Sequence, residues 1–285
     1  MKQEYSLAHL TVLGCTPPEM IYIARMAGYD YASLRPIYMR LPGEPNYDLA
    51  HNPEMLRQTK RAMADTGIRI HDIELARITD DIDVSEYEPA MEVGAELGAR
   101  SLLSSIWTTD KSRYMEQFAK MVEIAGKYNL NVDLEFVTWA AVWDLDGVKE
   151  VLEAQTGKNI GMMIDVLHFY RSRMDVSQLK DLPREWFHFV HLNDAPEFIP
   201  DRSDSEALIF TGRDARLYPG EGVAPIADIM NALPPVVCSI ELPHTARAKE
   251  LGFAEHARRC LETSKRYFAE HGLGWRGLKQ IPYDV

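Results

Sequence analysis

The chain has 285 residues, 46% of them apolar, a length that suits one α/β domain of about 250 residues plus extensions. Acidic residues outnumber basic ones 43 to 31, the formal charge is −12, and no Lys/Arg block concentrates positive potential, which argues against a duplex nucleic-acid partner. The cysteines, Cys15, Cys238 and Cys260, are distant and odd in number. Together with the absence of a signal-like Met1–Leu13 segment and of any run near ~20 apolar residues, they point to a reducing cytoplasm rather than secretion or a membrane.

The first predicted strand is Ser6–Leu13, followed by a helix start at Thr16-Pro17-Pro18 and an amphipathic stretch from Glu19 to Ala27. Tyr31–Leu34 reads as the second strand, leading through a Pro/Gly-rich loop, Pro36–Pro45, to a helix over Pro53–Asp65 that Gly67 closes. Strand and helix then alternate: Ile68–Leu75 and Tyr87–Leu97, then Ser101–Trp107 and Ser112–Tyr128. In the second half the strand candidates are Val132–Phe136, Ile160–Asp165, Phe187–Leu192 and Val236–Leu242. Helices are predicted over Leu145–Gln155, Val176–Leu182, Ala224–Leu233 and Phe253–His271. Eight strands alternating with helices predict a closed parallel (β/α)8 barrel, a TIM barrel, as a single domain over 1–285 with 272–285 as a C-terminal extension carrying Trp275 and Tyr283. No G-x-G-x-x-G follows the first strand and no G-x-x-x-x-G-K-[ST] occurs, so no nucleotide-cradling loop is signalled. The longest irregular stretch, Asn193–Tyr218, follows the seventh strand and is expected to cover the active site.

Four short apolar runs end on metal-ligand side chains: Leu134-Glu135, Met163-Ile164-Asp165, Phe189-Val190-His191 and Ser239-Ile240-Glu241. Three carboxylates and an imidazole at the exits of buried strands are costly without a compensating charge, and a divalent cation supplies one for all of them. In a barrel these strand ends converge on one face. Oxygen ligands with one nitrogen suit Mn²⁺, Mg²⁺ or Co²⁺ better than a structural zinc site, with Zn²⁺ as an alternative.

The segments Asp165–His168 (DVLH), His191–Asp194 (HLND), Arg216–Gly222 (RLYPGEG) and Ile240-Glu241 resemble the xylose-isomerase-like TIM barrels, often called sugar phosphate isomerase/epimerases. The likeness covers mainly residues 130 to 245. It implies that Glu135, Asp165, His191 and Glu241 hold a divalent metal and that His168 and Arg216 contact substrate oxygens. It also implies that Glu135 and Glu241 are a base and acid pair on opposite faces of the substrate. His168 is the alternative base, since a metal lowers the basicity of a carboxylate it holds. A plainer reading of His168 is a buried wall residue bonded to a backbone carbonyl. For Arg216 the plainer reading is a solvated loop charge, and the adjacent Pro219-Gly220 turn favours a clamp for a carboxylate or hydroxyl. Asp194 is assigned to the substrate site or to orienting Arg216 or His191, or else to a loop cap. His71, Glu74 and Arg77 are candidates for pocket lining, with strand alternation preventing all three from pointing inward, and His9 is expected in the core.

The resulting expectation is a metal-dependent isomerase or epimerase of a small polyhydroxylated ketone or keto-acid, working through a metal-stabilised enediolate. A lyase of the 3-dehydroshikimate dehydratase type is the runner-up. That branch often carries Gln where this chain has His191, but its long seventh loop and Pro-Gly-x-Gly turn are similar. An apurinic endonuclease is disfavoured by the acidic balance and by the lack of a histidine in Ser101–Trp107. A non-catalytic metal-stabilised scaffold is the minor alternative. The expected partner is a small molecule, with a homo-oligomer, dimer or tetramer, allowed. A non-phosphorylated substrate is preferred, because only Arg213, Arg216 and Arg247 lie near where a phosphate would bind.

Overall fold

The computed structural model describes residues 2–40 and 44–273. Eight parallel strands close into a barrel in chain order: β1 (Tyr5–Ala8), β2 (Tyr31–Leu34), β3 (Arg69–Ile78), β4 (Ser101–Ile106), β5 (Asn131–Glu135), β6 (Ile160–Asp165), β7 (Phe189–Leu192) and β8 (Val237–Ile240). Pairing of Ser6 with Ser239 joins the last strand to the first. The strands are buried along nearly their whole length, as parallel strands covered on both faces must be. Inside the barrel Leu103, Met163 and Phe189 form a small apolar plug. A larger core fills the space between strands and helices.

Six of the ten described α-helices start where short polar side chains replace missing backbone partners. Among them, α1 (Pro17–Ala27) opens with a reciprocal Thr16–Glu19 capping box. Asn52, Asp110 and Asp144 cap α2 (Pro53–Thr66), α4 (Lys111–Lys127) and α5 (Leu145–Glu153), while α3 (Glu88–Glu96) follows a 3-10 turn. Three helices were not foreseen from sequence: α6 (Val166–Arg171), α7 (Ser205–Arg213) and α9 (Thr245–Leu251). The stretch expected to be irregular, Asn193–Tyr218, therefore carries a helix, capped by Asp204. The last two elements are α8 (Ile226–Ala232) and α10 (Phe253–Glu270).

Other expectations need correction. The first strand stops at Ala8, and His9–Val12 is a 3-10 turn. There Thr11 turns inward and donates its hydroxyl to the Ile240 carbonyl at 2.7 Å. Val176–Leu182 is only a 3-10 segment, Val176–Lys180. In β3 the register shifts between Ile73 and Ala76, so the alternation assumed for His71, Glu74 and Arg77 does not hold. Trp275 and Tyr283 of the predicted extension lie outside the described residues. No described helix is long and apolar enough to cross a membrane.

Candidate metal centre

Parallel strands in register point equivalent side chains to the same face, so pairing decides which strand ends converge. Glu135 pairs with Met163, Asp165 with His191, and His191 with Ser239, two residues before Glu241. One oxygen or nitrogen of each of Glu135, Asp165, His191 and Glu241 lies within 4.8 Å of those of the others, and all four residues are buried.

Local structure fixes each member. Asp165 ends β6 and caps α6: its Oδ1 accepts the His168 N–H at 3.0 Å, placing His168 one turn above it. Asn193 donates Nδ2 to Asp165 Oδ2 at 3.0 Å and accepts the Leu167 N–H at 3.0 Å, locking that carboxylate from the next strand. Thr11 brackets Glu241, donating to the Ile240 carbonyl and accepting the Leu242 N–H at 2.8 Å. Asn193 and Thr11 were missed from sequence, because an uncharged residue beside a strand end carries no ligand signal.

The donor set fits a divalent cation. His191 is fully buried, yet among the described residues neither ring nitrogen has a hydrogen-bond partner. Its Nδ1 lies 3.3 Å from Glu241, 3.8 Å from Asp165 and 4.0 Å from Glu135. Against the effect of burial, Glu241, Glu135 and Glu74 push the imidazole up to about 10. The same field favours any positive charge at this point, and a metal that takes the ring nitrogen displaces the proton.

Arg216 is also buried here. It donates Nε to the Gly212 carbonyl at 2.7 Å, and Nη1 bonds Asp165 and the Glu241 carbonyl. Nη2 pairs with Glu241 Oε2 at 2.9 Å. Most of its donors are thus committed, leaving a single Nη2 hydrogen for a substrate oxygen. Burial opposes both charges, but Asp165 and Glu241 hold the guanidinium above its ordinary value. Conversely, His191 and Arg216 overcome burial to hold the Glu241 carboxyl below its ordinary range. Glu135 is pushed the other way, by burial first and by Glu241 second.

His168 is buried against the edge of Trp139, with ring centroids 4.9 Å apart. Burial lowers its pKa to about 3, so the ring is neutral. Nδ1 faces the Thr138 N–H at 3.4 Å and hydroxyl at 3.2 Å, which leaves the proton on Nε2, 4.0 Å from Glu135 Oε1. Asp194, expected near the substrate, instead turns to the main chain. Its oxygens accept N–H groups of Ala195, Gly220, Gly222 and Ala224 at 2.8 to 3.0 Å. It organises the Pro-Gly-Glu-Gly turn and is absent from the lining of the cavity above the quartet. Of the pocket-lining candidates, Glu74 is buried beside Arg35, their charged atoms 3.8 Å apart, and within the field of Glu241 and His191. His71 bonds Asp72 at the opposite mouth, Arg77 donates to the Met39 carbonyl, and His9 is in the core as expected.

A cavity of about 350 Å³ opens above the quartet, lined among others by Arg35, Trp107, Glu135, Trp139, His168, Arg213 and Glu241. The α7 segment forms one wall, as a cover is expected to do. Gly212 lies so close to Trp139 that an added Cβ would sit 2.4 Å from its ring. A larger cavity, about 590 Å³, occupies the amino-terminal mouth, and none of the quartet lines it. Chemistry in this fold belongs to the carboxyl-terminal face, which the smaller cavity occupies.

An inosose isomerase of Bacillus velezensis is 23% identical over 173 residues, covering 56% of this chain and 59% of that protein. A 3-dehydroshikimate dehydratase of Pseudomonas putida is 24% identical over 238 residues, covering 79% of this chain and 35% of the other. The match thus spans between about a third and three fifths of these curated relatives. A solved structure described as IolI protein with a binding zinc atom superposes with a TM-score of 0.78 at 18% identity, over 95% of this chain and 99% of that one, a likeness of fold. The family model for the xylose isomerase-like TIM barrel matches residues 21–263, and the chain belongs to that family.

Proposed function

We propose that this protein is a divalent-metal-dependent isomerase or epimerase of a small polyhydroxylated ketone. The observation that carries this reading is the buried quartet of Glu135, Asp165, His191 and Glu241 at the floor of a cavity sized for a small molecule. These four residues would hold the cation, with Mn²⁺, Mg²⁺ and Co²⁺ suited to the donors and the zinc of the IolI structure supporting Zn²⁺ as well. When bound, the cation supplies Lewis acidity toward a carbonyl oxygen, which makes the neighbouring C–H acidic.

The residues divide the remaining work. Glu135 and Glu241 enter the cavity from strands on opposite sides of β6 and β7, so one removes the C–H proton and the other returns a proton on the opposite face. His168 offers an Nε2 hydrogen rather than a lone pair, so its role is to donate a hydrogen bond to a substrate oxygen, and the base is a carboxylate. Trp107, Trp139 and Leu75 on the cavity wall exclude water around the reacting carbon.

A dehydratase shares proton removal and differs in losing a β-hydroxyl afterwards. The likeness to 3-dehydroshikimate dehydratase over 79% of this chain supports keeping that second reading. Metal-loaded protein in D₂O, given an inosose or 3-dehydroshikimate, should incorporate deuterium next to the carbonyl, read by NMR. Protocatechuate absorbance would mark the dehydratase. Glu135→Gln and Glu241→Gln should each lower exchange by at least about 10³-fold while the barrel stays folded by circular dichroism. Near wild-type exchange in either variant would reject the assignment, and no exchange with any polyhydroxy ketone would leave a metal-stabilised scaffold.

A further inference from the structure

The quartet and Arg216 leave other charges in the cavity unexplained. Arg35 and Arg213 both line it. Arg35 is only 7% exposed; among the described residues its Nε, 3.8 Å from Glu74, makes no hydrogen bond, and its Nη2 reaches the Met39 sulfur at 3.5 Å. Arg213, at the end of α7, is half-buried and has no hydrogen bond or ion pair among the described residues. Burial lowers the Arg213 pKa, and Arg35 and Arg77 lower it further. Glu74 lies 3.8 Å from Arg35, and Glu44 and Asp214 line the cavity too, so what is left open here is hydrogen-bonding capacity of the guanidinium groups rather than net positive charge. Guanidinium N–H groups drawn out of water without hydrogen bonds cost free energy that an incoming anion recovers.

The geometry points to a substrate that carries a carboxylate, seated between Arg35 and Arg213, with its hydroxylated ketone toward the quartet. A phosphate fits less well. The main-chain amides after β7 that would cradle one, those of Gly220, Gly222 and Ala224, are already given to Asp194. A planar carboxylate needs only the forked donors that the arginines present. The inference rests on the carbonyl chemistry proposed above and selects a keto-acid over a neutral ketone within it.

A matched pair of ligands separates charge from shape. Shikimate is a trihydroxylated ring carboxylate without a ketone, and its methyl ester is the same ring without the charge. Titration calorimetry on the metal-loaded protein should find the acid bound at least about ten-fold more tightly than the ester. In Arg213→Gln, which removes an unbonded side chain and leaves the fold intact, that preference should fall to about two-fold or less. Arg35→Lys keeps a counter-charge beside Glu74 and should reduce the preference by a smaller factor. Equal binding of acid and ester by the wild type, no binding of the acid, or a preference that survives Arg213→Gln would each overturn the inference. Deuterium exchange is scored apart: its absence with the acid preference intact removes the reaction and leaves the anion site.

Discussion

Asp165 shows how much one side chain carries in this site. Its Oδ1 caps α6, while its Oδ2 accepts from Asn193 and Arg216 and remains within 3.8 Å of His191. Partners that orient a ligand without touching the metal typically contribute 10–100-fold in affinity. Asn193→Ala should therefore weaken Mn²⁺ or Zn²⁺ binding by about ten-fold or more in a competition titration with a fluorescent chelator. Affinity unchanged within two-fold would show that Asp165 is held without Asn193. The quartet was legible because charged side chains at the ends of apolar runs stand out in sequence. Asn193, Thr11 and Arg35 were not, because their roles come from the strands the closed barrel sets beside them: β6 and β7, β1 and β8, β2 and β3.

Among elements, the Pro-Gly-Glu-Gly turn is built by Asp194, which gathers four N–H groups onto two oxygens. Gly222 completes it, since an added Cβ would lie 2.2 Å from the Ala195 carbonyl oxygen. Burial pushes the Asp194 carboxyl up while these donors pull it down. Asp194→Asn turns an NH₂ toward two of the donors, and each unsatisfied pair costs about 1–3 kcal/mol. The variant should lose about 3 kcal/mol in urea unfolding, and a loss below about 0.5 kcal/mol would contradict this role. Strands and long helices were readable from periodicity, with β2 and β6 found at their observed limits. The short helices were not: α6 has six residues, and its cap, Asp165, is also the last residue of a strand. Asp194 read as a site residue because sequence places it beside His191, whereas three of its four partners lie 26 to 30 residues later.

For the whole molecule, closing the barrel buries His9 where a charge cannot be held. Its Nε2 donates to the Cys15 carbonyl at 2.8 Å, its Nδ1 accepts the Arg35 N–H at 3.2 Å, and its ring stacks on Tyr47 at 5.0 Å. The Arg35 N–H needs the Nδ1 lone pair and so selects the neutral ring, while the Cys15 carbonyl works the other way and is outweighed by burial. Burial lowers the folded pKa to about 4, against 6.5 for a free imidazole. Between these values the unfolded chain binds a proton that the folded chain does not, so stability rises with pH across that window. This contribution is fully present above about pH 6.5 and is lost as pH falls toward 4. The lowered pKa of about 4 sets its full size on the order of 3 kcal/mol. His9→Gln keeps a donor for Cys15, loses the acceptor for Arg35 and removes the titration. The wild type should lose stability more steeply than His9→Gln between pH 6.5 and 4.5 in urea unfolding, and the two curves should run parallel above pH 7. Parallel curves below pH 6.5 would mean that His9 takes up its proton without opening the barrel. His256, buried against Tyr218 and the Leu242 carbonyl with its pKa also lowered by burial, should leave a residual acid slope in the variant.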